Sequence, residues 1–130
     1  MSLGTRFDFE IHRGDSRQIL FQVVDPGLVP VDITGATMTW VISELDEDDV
    51  NTIPAPIPGS TLATKTVGTG ITLTTPATGN GTIVLSSVDT TGLNAPEQYY
   101  HEAQMVLGGE TTTIMYGILT LKRDIIAPGP

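Results

Sequence analysis

Residues Glu97–Lys122, EQYYHEAQMVLGGETTTIMYGILTLK, constrain the fold more than any other stretch. Two apolar runs flank Gly108-Gly109, and a Gly-Gly pair supplies the positive φ angles that a tight hairpin turn requires. Tyr99, His101, Ala103, Met105 and Leu107 alternate with Tyr100, Glu102, Gln104 and Val106 on the first run. On the second, Thr113, Met115, Gly117, Leu119 and Leu121 alternate with Ile114, Tyr116, Ile118 and Thr120. A period of two sustained on both sides predicts a long antiparallel pair. This hairpin is the expected spine of an all-β domain.

The rest of the composition agrees. Val, Ile and Thr number 10, 12 and 20 of 130 residues, and β-branched side chains favour pleated strands over helices. No window keeps apolar residues at helical spacing, so no long amphipathic helix competes. The length fits one domain, residues 1–130. The absence of cysteine excludes disulfides and thiolate metal sites. A net charge of −9 argues against binding to nucleic acid or an anionic membrane, where Lys and Arg must neutralise phosphate. No apolar run reaches the length of a spanning helix, and no signal peptide is visible.

In chain order, Arg6–His12 reads as a half-buried first strand with Phe7, Phe9 and Ile11 inward. Arg13-Gly14-Asp15-Ser16 reads as a turn rather than as an adhesive RGD tripeptide. Arg17–Asp25 is the next strand, with Ile19, Phe21 and Val23 sharing a face, and Asp25-Pro26-Gly27 ends it. Val31–Gly35 leads into a third strand, Ala36–Ser43, with Met38, Trp40 and Ile42 inward. The single tryptophan is thus expected in the core, its N–H bonded to a partner.

The segment 44–60, ELDEDDVNTIPAPIPGS, breaks the pattern. Its five acids repel one another and its spaced prolines disfavour pairing, so a mobile, metal-free surface loop is expected. It lacks the ligand spacing and turn glycine of a calcium-binding loop. Further on, Thr61–Val67 reads as a weak strand, Ile71–Thr75 and Gly81–Ser86 as a pair, and Ser87–Pro96 as one helical turn capped by Ser87 or Asp89. Seven to eight short strands with regular turn signals predict an antiparallel β-sandwich, a small barrel being the alternative. Tyr99 stands where a tyrosine corner would, its hydroxyl returning to backbone.

No catalytic, cofactor or metal motif is present, and the chain is expected not to be an enzyme. Of two histidines, His12 falls on a polar face. His101 falls on the buried face, where a hydrogen-bonded core residue is expected. Glu102 cannot orient His101 in a triad, because neighbours on a strand point to opposite faces.

The order of segments resembles the small Ig-like domains of tailed bacteriophages, notably the N-terminal domain of baseplate upper proteins. The matching residues are Arg13–Ser16, Pro30–Thr37 (PVDITGAT), Gly81–Leu85 and Tyr99–Ala103. The resemblance implies an Ig-like sandwich of a phage or prophage tail or baseplate, made in the bacterial cytoplasm and located in the virion. Its partners would be other tail subunits or a second copy. The alternative is a stand-alone module binding a cell-surface carbohydrate or protein. The expected partner interface lies on the outward face of the hairpin: Tyr100, Val106, Ile114, Tyr116 and Ile118, with Val41 from the Trp40 strand. Apolar residues there form a patch that water disfavours. Ile53 and Ile57 of the acidic segment are the alternative cover.

Overall fold

The computed structural model describes residues 5–46 and 54–123. Nine strands are formed: β1 (Thr5–Arg6), β2 (Phe9–His12), β3 (Arg17–Gln22), β4 (Thr37–Leu45), β5 (Pro56–Val67), β6 (Gly70–Thr75), β7 (Asn80–Leu85), β8 (Glu97–Leu107) and β9 (Glu110–Lys122). A 3-10 turn (Pro76–Thr78) and a short helix α1 (Ser87–Thr91) complete the described elements. The fold is all-β.

The strands follow one mixed, curled path, β1-β9-β8-β4-β5-β6-β7-β3, with β2 also on β9. The path turns between β5 and β6, where Thr66 pairs Gly70 and Val67 pairs Ile71 around Gly68 and Gly70, both of positive φ. Side chains from both sides of that corner share one core. Met38, Trp40 and Ile42 of β4, Ala103 and Met105 of β8, and Leu119 and Leu121 of β9 meet Ile19, Ile71, Ile83 and Leu85. Trp40 is fully buried, as the strand pattern requires.

The spine hairpin forms as expected. Gly108 and Gly109 take φ values of 61° and 83°, the left-handed pair that matches strand twist in a two-residue turn. Met115, Leu119 and Leu121 are buried together with Gly117.

Three expectations are corrected. The first strand is not continuous: it breaks at Phe7-Asp8 into β1 and β2, both parallel to β9. The Asp8 carboxylate there accepts the Ile118 N–H at 2.9 Å, replacing a ladder bond. Among the described residues the sheet therefore has nine strands, in parallel as well as antiparallel pairs. Second, segment 44–60 is largely paired at both ends. β4 runs through Glu44 to Leu45 and β5 begins at Pro56, with Leu45 opposite Pro56 and the Asp46 N–H bonded to Ala55 O. Register shifts beside Ser43 and Leu45 absorb the prolines, which lack the N–H a regular ladder would use. Glu47, Asp48, Asp49 and Ile53 lie outside the described residues. Third, the helix is capped by Ser86. Asp89 reaches back to accept the Ser86 N–H at 2.7 Å and its hydroxyl at 3.0 Å.

Candidate functional site

Registers on either side of β8 lay out the outer face of the β4-β8-β9 unit as rows. Val41, Glu102 and Tyr116 form one row, and Ser43, Tyr100 and Ile118 form the next. Thr39, Gln104 and Thr113 lie on the other side, followed by Thr37, Val106 and Thr111. Five of the six residues expected at an interface, all but Ile114, share this face.

Ile114 does not join them. The pairing slips between Ala103↔Met115 and Gln104↔Thr113, leaving Ile114 as the extra residue of a β-bulge. Its side chain packs against the core instead and lines a hollow of about 200 Å³ with Phe7, Ile19, Phe21 and Met115. Strict alternation cannot reveal a bulge, so the sequence placed Ile114 one face too far out.

Tyr100 differs in another way. It is 5% exposed, lying on the face rather than standing from it, and its hydroxyl donates to Glu102 Oε1 at 2.6 Å. Burial, the bond to Glu102 and that carboxylate's charge push its pKa up, so it stays a neutral donor. Gln104 Nε2 donates to the other oxygen of Glu102 at 3.0 Å. Val41, Tyr116 and Ile118 are half-buried, and Val106 is exposed near the hairpin end. Ile57 is exposed and lines a small hollow with Glu44, Leu45 and residues 97–99, at the end of the sheet. The residue that sequence reasoning passed over is Glu102. Its signal was position: a carboxylate on the outward set between Tyr100 and Gln104.

Two cations at the rim are paired with carboxylates. Arg6 lies 3.2 Å from Asp8, and Lys122 lies 2.9 Å from Glu10. Arg6 is in register with Tyr116 across β1 and β9, and Lys122 with His12 across β2 and β9.

Beneath the face, His101 is fully buried and bonded through both nitrogens. Trp40 Nε1 donates to Nδ1 at 3.2 Å, and Nε2 lies 2.6 Å from Phe7 O. Indole can only donate and a carbonyl can only accept, so the ring is the neutral Nε2–H tautomer. Burial lowers its pKa, opposed by the Phe7 bond and the nearby Asp8. A ring so engaged is structural. No group of three or more His, Asp or Glu that could hold a metal occurs among the described residues.

The first two residues of the RGD turn are tied to the helix region, while Asp15 is exposed. Arg13 Nε donates to Leu93 O at 3.0 Å and Nη2 to Thr91 O at 2.6 Å, while Gly14 N–H donates to Thr90 Oγ1. Its arginine serves the fold. No helix among the described residues is long and apolar enough to cross a membrane.

No family model matches this chain, and no curated protein does. Among solved structures, one from photo-crosslinking analyses of multimeric cell-adhesive interactions of VGSC beta subunits is similar to it over 95% of this chain and 96% of the other. The two are 12% identical with a TM-score of 0.44, and at that level the likeness carries no argument about this chain.

Proposed function

We propose that this chain is a protein-interaction module with an Ig-like sandwich fold, serving as a structural part of a phage or prophage tail or baseplate. Divided at the β5–β6 corner, the path gives β1-β9-β8-β4-β5, with β2 also on β9, and β6-β7-β3, and their contribution to one core supports the sandwich reading. Tyr99 supports the Ig-like reading. Its hydroxyl donates to Asn94 O at 3.0 Å and accepts the Asn94 N–H at 2.9 Å, a tyrosine corner. In antibody-type domains the second disulfide cysteine follows the corner tyrosine by two residues and packs on a buried tryptophan. His101 stands at that position here and is bonded to Trp40.

The observation that carries the interaction reading is the face built on Val41, Tyr100, Tyr116 and Ile118. Half-buried aromatic and aliphatic neighbours at the centre of a sheet face otherwise lined by Thr and Gln mark a protein contact. The placement in a phage particle rests on the sequence resemblance. Carbohydrate binding fits this face less well, because Tyr100 is covered and its hydroxyl is engaged with Glu102.

A photo-crosslinking amino acid at position 116, with one at the exposed Leu20 as control, tests both parts. The reading expects the chain in purified particles and a crosslink from 116 to a particle protein. Absence from the particles overturns the tail assignment. Crosslinks from 20 and none from 116 overturn the face.

A further inference from the structure

The geometry points to an arginine of a different protein chain, not a second copy, as the group this face receives at Glu102; the inference rests on the interaction reading above. Glu102 sits at the centre of the face, between Val41 and Tyr116 and next to the Tyr100–Ile118 pair. Both its oxygens are held by neutral donors, the Tyr100 hydroxyl and the Gln104 amide, which fix its orientation and bring it no positive charge. The rim cations Arg6 and Lys122 are each matched by their own carboxylate, Asp8 and Glu10.

Any partner covering the patch removes water from this carboxylate. Dehydrating an anion without a counter-charge is costly, so the covering surface must bring a cation. Guanidinium suits the place better than ammonium. It bonds a carboxylate through two N–H groups and lays its plane against an aromatic ring such as Tyr116.

A second copy meets the need poorly. It would bring a central Glu102 of its own, cations already paired at its rim, and a net charge of −9 against another −9. Like charges brought together at an interface oppose the pairing. A basic, non-identical partner removes both penalties.

The test is an amide NMR titration with Nα-acetyl-L-argininamide, against its neutral isostere Nα-acetyl-L-citrullinamide. The inference expects saturable shifts at Tyr100, Glu102 and Tyr116 with the arginine probe. It expects much smaller shifts with citrulline, and at least about a fivefold weakening in Glu102→Gln, whose own spectrum reports that it is folded. Equal response to both probes, or arginine shifts located elsewhere, overturns the inference. So does a wild-type dimer in sedimentation that Glu102→Gln tightens, since a second copy would then be the occupant. Crosslinking from position 116 to a particle protein, combined with no arginine response, would leave the interaction reading standing and remove only this one.

Discussion

Trp40 donates its indole N–H to Nδ1 of His101 across 3.2 Å, and the same imidazole holds the Phe7 carbonyl through Nε2. One buried ring thus joins β4, β8 and the junction of β1 with β2. Phe7 and Phe9 pack on it, with ring centroids 6.2 and 5.1 Å away. The bonds place a polar contact among the apolar side chains of the core in a chain without cysteine. Trp40→Ala is expected to cost about 3–5 kcal/mol through lost burial and the cavity left behind. Trp40→Phe keeps most of the volume but leaves Nδ1 without a donor, for about 1–3 kcal/mol. Urea melts of the two variants measure both.

His101 also sets a pH dependence. Its folded pKa lies below the ordinary 6.5, chiefly through burial, so the unfolded chain takes up a proton before the folded one does. Stability is therefore full above that value and falls as pH drops through it toward the folded pKa. The carboxylates of Asp8 and Asp89 are held below their ordinary 3.8 and act only at lower pH. His101→Gln should flatten the stability slope just below pH 6.5 while leaving the acid loss carried by the carboxylates. Thermal melts across that range check the difference.

Gly117 lies opposite His101 on β9 and directly against the Phe7 carbonyl. A Cβ there would overlap Phe7 O, which is backbone and already held by His101. Gly117→Ala should therefore cost about 1–3 kcal/mol. The loss should appear locally as faster hydrogen exchange in β2 than in the β8–β9 hairpin.

Lys65 and Asp89 form a largely covered ion pair at 2.8 Å, joining β5 to the helix cap. Burial alone would raise the Asp89 pKa, but bonds from Lys65 and Ser86 outweigh it. Removing one partner strands the other, so Asp89→Ala should destabilise by more than Asp89→Asn. The first is expected to cost about 1–3 kcal/mol, and a double-mutant cycle with Lys65→Met separates pair from cap.

Much of this was legible in the chain. Period-two alternation around Gly108-Gly109 placed the hairpin, and the single tryptophan declared a core position with a bonded N–H. Tyr99 and His101 behaved as their places on the strand required. Three features were hidden for physical reasons. A bulge at Ile114 changes the count of residues without changing their character. Pro56 and Pro58 read as unpaired backbone, whereas they belong to a strand whose pairing is irregular just where they fall. At Phe7-Asp8 the ladder is carried by a side chain, which hydrophobic spacing does not register. At the candidate site the face was predicted but its centre was not. Pattern reading selects apolar residues, and Glu102 is the one charged group between Tyr100 and Gln104.

The contact proposed above runs through the Tyr116–Ile118 face, which would hold this chain to a protein partner in a tail particle. Tyr116→Lys with Ile118→Lys places two long cations on that face, while Met115, Gly117, Leu119 and Leu121 keep the core. The measurement is incorporation: particles assembled with either form, purified, and the chain quantified in them. The account predicts a double variant with a wild-type melting profile that is depleted at least about tenfold from the particles, a loss of some 1.4 kcal/mol or more in contact. Incorporation of the folded variant at the wild-type level would contradict it.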